Sequence, residues 1–453
     1  MSLTDKNNRQ YGFIKPLVLI NLTIPVSFLL YIYYHQLDLE KAYLTHYIMP
    51  FIGVVFWVIV MQLKEKVQAN IVLMIMPLVV GIYTIEIGLI FLDYHIENRH
   101  FMASKAGIDF DNRTKLEVIA DFSKKDIHAV PALRPALFVD SIGLNKKDVG
   151  SLYPLSGISN KVTIGENETG NFAIYQSDRY GFNNPDYEWD AKKVSWILTG
   201  DSFAEGRAVN TGEDIAGVIR SITNDSVINL GRSGNGPLLE LAALKEYGQI
   251  KDSEKVLWIY YEENDMIDLS NEKSNPLLMQ YMKNGFSQNL ANRQNEVDKA
   301  LSSYLEKNKK NKGKNNFKLS IYKHKTAWVR LRTIISLVKN IINPSTELKI
   351  DPLFNKVLLN AKSEVDKSGG TLYFIYLPEY GRYKSHFISH NDYRKKSKVL
   401  DIVRSLDIPI IDIHEEVFKI HQDPLSLFPF RSYGHYNADG YAKVAKAIID
   451  SIK

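Results

Sequence analysis

Three apolar runs in the first fifth of the chain, Leu17 to Tyr34, Tyr47 to Leu63 and Asn70 to Leu92, set the strongest limit on what this sequence can fold into. Each is close to the roughly 20 residues that a helix needs to cross the hydrocarbon of a bilayer. The first two carry no charge and the third carries only Glu86. Pro25, Pro50 and Pro77 fit spanning helices, because neighbouring helices can satisfy the carbonyls that proline frees. A cleaved signal peptide fits poorly, since the first run lacks a small-residue cleavage site and further apolar runs follow at once.

The flanking charges suggest an orientation. Lys6, Arg9 and Lys15 precede the first run and Lys64 and Lys66 separate the second from the third, against Lys41 beside Asp38 and Glu40 in the other loop. Positive flanks stay on the cytoplasmic side. The expectation is therefore a multi-pass protein of the cytoplasmic (inner) membrane, with residues 1–94 as a three-helix anchor, the amino terminus inside and everything after about Asp93 outside. Glu86 lies near the outer end of its run, where it can reach the interface or pair with another span.

The remaining chain has another character. Residues 95–135 read as a polar connector with some local structure, and from 136 to 453 short apolar runs alternate with helical patterns, as in a parallel sheet with crossover helices. Expected strands are Val194 to Thr199, Ser226 to Leu230, Lys255 to Tyr261, Thr371 to Leu377 and Ile408 to Ile413. Ile215, Val218, Ile219 and Ile222 recur at helical spacing, as do Leu353, Val357, Leu358, Ala361 and Val365. About 270–349 is an insertion, and its lysine-rich run from Lys307 to Lys318 reads as a solvated loop because it is a lysine and asparagine run without regularly interleaved aromatic residues. A net charge of +5 over 453 residues gives no reason to expect a nucleic-acid partner, and the absence of cysteine excludes disulfides, thiolate metal sites and cysteine nucleophiles.

The chemistry gathers where expected strands end, which is where open parallel sheets collect their ligands. In VSWILTGDSFAEG a strand breaks at Gly200, Asp201 and Ser202, so that a hydroxyl and a backbone N–H face the crevice; the same residues also suit a helix cap. VINLGRSGNGP follows the next strand, and its three glycines allow close backbone approach. WIYYEEND sets the uncharged donor Asn264 just past the third strand. SYGHYNADG places His435, a side chain able to take and return a proton near neutrality, before the last helix.

In residue type and chain order these four blocks resemble the SGNH, or GDSL, hydrolases. The resemblance implies a three-layer α/β/α fold with a parallel, flavodoxin-like sheet. It also implies a serine esterase or O-acyltransferase with Ser202 as nucleophile, His435 as general base, and an oxyanion hole from Ser202, Gly234 and Asn264, without metal or cofactor. SDRYGFNNP, Ser177 to Pro185, adds a likeness to membrane-tethered bacterial members, though its role does not follow from the residues. Two positions depart from the pattern: Glu262 stands where the third block usually begins with glycine, and Ser432 where an aspartate usually precedes the histidine by three. A Ser-His dyad, a substitute acid such as Asp423 or Asp439, and a degenerate site are all compatible with that change.

The resulting expectation is an enzyme acting on acyl esters of extracytoplasmic glycans, with the bilayer as a partner and, for a transferase, a separate membrane acyl-donor protein. A lipid esterase and a non-catalytic protein for polysaccharide binding or assembly are the alternatives. A periplasmic reporter fused after Lys453 should be active, and activity of a cytoplasmic reporter at that position instead would overturn the topology.

Overall fold

Residues with buried, β-branched and aromatic side chains build a five-stranded parallel sheet from β4 (Val194–Gly200), β5 (Val227–Asn229), β6 (Ser253–Tyr261), β7 (Thr371–Leu377) and β8 (Ile410–Asp412). The strand order is β5-β4-β6-β7-β8, with every pair parallel. Such a sheet needs cover on both faces, and its strands are accordingly apolar on both sides. Side chains alternate between the two cores: Ile197, Trp258, Tyr260 and Phe374 join one, while Trp196, Leu198, Leu257, Ile259 and Ile375 join the other.

The computed structural model describes residues 14–34, 45–97, 99–140, 152–307, 350–384 and 392–452. They divide into two compact units, one within Met1–Phe91 and one beginning at Leu92. In the first, α1 (Ile14–Tyr34), α2 (Thr45–Gln62) and α3 (Glu65–Glu97) coincide with the three expected apolar runs. Their shared core is small, made from Ile14, Val18, Trp57, Val60, Ala69 and Val72, and Leu19, Ile24, Phe51, Leu73, Met74 and Leu78 remain exposed. Among the described residues only Glu65–Gly88 is long and apolar enough to cross a membrane, and Ile14–Ser27 and Pro50–Gln62 are shorter apolar helices. Glu86 is wholly buried.

In the second unit the polar stretch after the apolar runs is largely ordered. It holds α4 (Arg99–Lys105) and α5 (Lys115–Ser123), whose start is a capping box between Thr114 and Glu117. It also supplies β1 (Ala129–Pro131) to a small sheet of order β1-β2-β3 with β2 (Val162–Asn167) and β3 (Phe172–Gln176). The main sheet is covered on one face by α8 (Pro237–Glu246), α10 (Pro352–Lys367) and α11 (Lys396–Ser405), and on the other by α7 (Ile215–Thr223) and α12 (Ala438–Ile452). The result is the expected three-layer α/β/α arrangement. Within the expected insertion, α9 (Asp265–Glu272) ends and short 3-10 turns follow, while 308–349, with all of the lysine run after Lys307, lies outside the described residues.

SDRYGFNNP acquires a structural role. The buried Asp178 carboxylate accepts from the backbone N–H groups of Tyr180 and Phe182 at 2.9 Å each, from Asn184 Nδ2 at 2.9 Å and from Trp189 Nε1 at 2.8 Å. Gly181 permits the turn: its φ is +87°, and a Cβ there would sit 2.1 Å from the Gly157 carbonyl oxygen. Asn184 then behaves like one more residue of sheet, donating to the Asn229 carbonyl at 2.9 Å and accepting from the Asn229 N–H at 2.8 Å. Asn183 donates to the Glu205 carbonyl at 3.0 Å. The motif thus fastens the ends of the loops after β4 and β5. Asp178→Ala strands several buried donors and should lower stability by about 3 kcal/mol, measured as a fall in the thermal unfolding midpoint; an unchanged midpoint would deny the motif this role.

Candidate active site

Ser202 is the first residue of α6 (Ser202–Glu205), directly after β4, with Asp201 as the cap that accepts from the Phe203 N–H at 2.8 Å. Gly200 lets this helix sit against the sheet, because a Cβ there would lie 2.7 Å from that of Ala204 and 2.9 Å from that of Ile259. His435 comes from the loop before α12, and its ring packs on Phe203 with centroids 4.7 Å apart. The Ser202 Oγ lies 2.7 Å from His435 Nε2. The sequence separates this serine and imidazole by 233 positions, and the fold brings them into hydrogen-bonding contact.

The imidazole has a carboxylate, and it is Glu168. Its Oε2 accepts from the His435 backbone N–H at 2.9 Å and lies 3.1 Å from Nδ1. A carboxylate at Nδ1 places the ring proton there and leaves Nε2 free to accept the serine proton, the tautomer a general base requires. Glu168 stands in the turn between β2 and β3, where Asn167 Oδ1 accepts from the Gly170 N–H at 3.0 Å and Asn167 Nδ2 donates to the Asp111 carbonyl at 3.0 Å. Its other oxygen, Oε1, pairs with Arg99 Nη2 at 3.0 Å. Burial works against the ionised form, but His435 and Arg99 outweigh it and hold the carboxyl at about 2, below the ordinary 4.5.

Neither acid expected as a substitute takes this place. Asp423 pairs with Arg431, and Asp439 with Lys443 at 3.4 Å in the first turn of α12. Ser432 is buried and donates to the Pro429 carbonyl at 2.9 Å, which closes a turn in the histidine loop. Glu262 also has structural work: it accepts from Arg382 Nε at 2.9 Å and the Glu379 N–H at 2.7 Å, tying the end of β6 to the loop after β7. Glu168 was missed because no short motif marks it. An acid in a polar hairpin turn, 34 residues before the serine in a different sheet, is an ordinary surface residue by sequence.

The two remaining expected residues come from the loops after β5 and β6. Gly234 has φ +77°, and a Cβ there would lie 3.0 Å from that of Ala136. Its loop is fixed by Asn229, which accepts from the Gly231 N–H at 2.9 Å and donates to the Ala204 carbonyl, and by Ser233, whose N–H donates to Glu205 at 2.8 Å. Asn264 stands at the start of α9, and its Nδ2 donates to Asp268 at 2.8 Å and reaches Asp201 Oδ2 at 3.4 Å, the same oxygen that lies 3.4 Å from Ser202 Oγ. The amide therefore stands beside the serine, held by two carboxylates. Burial, and next the Asp201 charge, push the Asp268 carboxyl up to about 7, so this neighbour of Asn264 changes charge near neutrality. Among the described residues no cluster of side chains could hold a metal ion.

No family model matches the chain, and no curated protein sequence matches it. Among solved structures it is similar to a lipase/acylhydrolase from Enterococcus faecalis, at 13% identity and a TM-score of 0.31 over 57% of this chain and 95% of that one. It is also similar to the acetyl xylan esterase AlAXEase, at 10% identity and a TM-score of 0.32 over 57% of this chain and 100% of that one. A third similarity is to the W215I variant of Axe2, an acetyl xylan esterase from Geobacillus stearothermophilus, at 13% identity and a TM-score of 0.30 over 58% and 97%. Identities and scores this low fix no function, and the chemistry is read from the contacts themselves.

Glu168→Gln keeps the side chain's size while removing the charge that orients the ring, and should lower turnover of a chromogenic acetyl ester about 10³- to 10⁴-fold. Wild-type turnover in the variant would remove Glu168 from the chemistry. The carboxyl titrates lower when folded than unfolded, so the stability it contributes is complete above 4.5 and is lost as pH falls towards 2. Unfolding midpoints should therefore drop more for wild type than for Glu168→Gln between pH 5 and 3.

Proposed function

We propose that the chain is a membrane-anchored serine esterase or O-acyltransferase of SGNH type that acts on acyl esters of extracytoplasmic glycans. The observation that carries this reading is the hydrogen-bonded sequence Ser202 Oγ, His435 Nε2, His435 Nδ1, Glu168 Oε2, with contacts of 2.7 Å and 3.1 Å. Hydroxyl, imidazole and buried carboxylate in that order form an activated nucleophile.

In the proposed reaction His435 Nε2 takes the Ser202 proton as Oγ attacks the ester carbonyl, and Glu168 stabilises the imidazolium that results. The tetrahedral oxyanion is met by the N–H groups of Ser202 and Gly234 and by the Asn264 amide, whose long contact to Asp201 is the one given up. Collapse breaks the ester C–O bond, the leaving alcohol takes the proton from His435, and an acyl-serine remains. Water or a sugar hydroxyl, deprotonated by the same imidazole, then attacks the acyl carbon, and as the acyl C–Oγ bond breaks His435 returns the proton to Ser202.

The site of action is an argument from access. Exposed apolar residues along α1 to α3, among them Leu19, Phe51 and Met74, suit contact with lipid. With the amino terminus inside and three spans, the domain that carries Ser202 faces acyl esters on the outer side, and cytoplasmic thioesters are out of reach. A transferase in this position would need a separate membrane protein to deliver its acyl donor. The alternative of a non-catalytic binding protein rests on Ser432 and Glu262; the carboxylate of Glu168 beside His435 supports the catalytic reading.

An active-site serine phosphonate probe should label the full-length protein but not Ser202→Ala, and Asn264→Ala should slow acetyl-ester turnover roughly a hundredfold or more. Equal labelling of wild type and Ser202→Ala, or of neither, would reject the enzyme.

A further inference from the structure

Arg99 begins the second helix of a chain stretch that the reading above treats as the exit from the membrane: α3 ends at Glu97 and α4 starts at Arg99. Its guanidinium nevertheless lies at the back of the candidate site. Nη2 pairs with Glu168 Oε1 at 3.0 Å and donates to the Tyr433 carbonyl at 3.1 Å, two residues before His435. The ion pair is largely shielded, with the Arg99 side chain 27% exposed and that of Glu168 7%. It also passes close over Gly434, where a Cβ would lie 2.6 Å from Glu168 Oε2 and 2.8 Å from Arg99 Nη2.

Three chain segments that are distant in sequence thus meet at one carboxylate. Oε2 serves the histidine twice, through its N–H and its Nδ1, and Oε1 serves Arg99. A carboxylate in an apolar surrounding without a cation on its second oxygen would rotate, draw in water or take up a proton, and each of these loosens its hold on Nδ1. By bonding Tyr433 as well, Arg99 fixes the distance between the β2–β3 turn and the histidine loop.

We propose that Arg99 is a positioning residue for the candidate site, acting through Glu168, and that the segment directly after the apolar helix α3 is therefore part of the catalytic apparatus and not a passive tether. This rests on the reading of Ser202, His435 and Glu168 given above. Its chemical consequence is a pH dependence. Among the described residues, the charged or titratable groups that interact with Glu168 include Arg99 on α4, His435 and Tyr433 on the loop before α12, and Tyr441 on α12. Arg99 is the permanent cation among them, so its loss raises the pH at which Glu168 takes up a proton, and the acid limb of the rate profile moves to higher pH.

The test uses full-length protein in native membranes or detergent, with chromogenic acetyl-ester turnover and phosphonate labelling of Ser202 measured from pH 4 to 9. Arg99→Ala should lower kcat about 10²-fold or more, with little change in KM, and shift the acid limb upward. Arg99→Lys should recover much of the loss, and millimolar guanidinium chloride added to Arg99→Ala should restore part of it, neither of which follows from a general loss of folding. The inference is overturned if wild type is labelled and Arg99→Ala keeps the wild-type rate and profile. It is equally overturned if the loss comes with a lowered unfolding midpoint and neither lysine nor guanidinium restores activity. A wild type that is not labelled at all would instead bring down the reading of the site on which the inference stands.

Discussion

The ionised carboxylate of Glu168 is the group on which the rest of the candidate site depends. A buried charge is costly unless it is paired and hydrogen-bonded, and this one is satisfied by the His435 N–H, the His435 ring and Arg99 together. The same contacts that make its burial tolerable also set the orientation of the imidazole, so the electrostatics of folding and the geometry of proton transfer are one problem. Moving the turn between β2 and β3 would leave a buried charge without partners and a histidine without direction.

The main sheet provides the other half of the arrangement. With strand order β5-β4-β6-β7-β8, the loops after β4, β5 and β6 leave neighbouring strands at the same edge, and these loops carry Ser202, Gly234 and Asn264. Ligands gather at such an edge because the chain reverses direction across the sheet there and leaves a crevice. The loops are tied by hydrogen bonds. Asn229 ties the second to α6, Glu205 holds Ser233, and Asp178 with Asn184 anchors both from the side. What differs from a single-sheet site is the source of the acid, which comes from the small sheet built in part by the segment before residue 140.

Glu262 and Ser432 show how a local departure from a motif can mislead. By sequence both weaken the case for chemistry. In the fold, Glu262 is bound to Arg382 and to the loop after β7, and Ser432 closes a turn whose neighbour Tyr433 accepts from Arg99. The place beside the imidazole expected of an aspartate near the histidine is occupied by Glu168, a residue on another element. A motif records which residue types are adjacent in the chain, whereas a proton relay requires only that atoms be adjacent in space.

Much of the molecule was legible without coordinates. The helices α7, α10 and α12 follow from hydrophobic periodicity, and the five strands and the three apolar helices from the length of their apolar runs, both of which are local to each element. Ser202, Gly234, Asn264 and His435 were legible because each sits in a loop whose turn residues mark the end of a strand or the start of a helix. Glu168 and Arg99 carry no such mark, since a glutamate in a polar turn and an arginine after an apolar helix are common on any surface. Amino-acid order alone determined the layers and singled out four candidate site residues. Tertiary packing alone decided the fifth and the sixth, because pairing a carboxylate with an imidazole and a guanidinium is a through-space electrostatic interaction over a few ångströms, and nothing in the order of residues encodes which distant charges will be buried together.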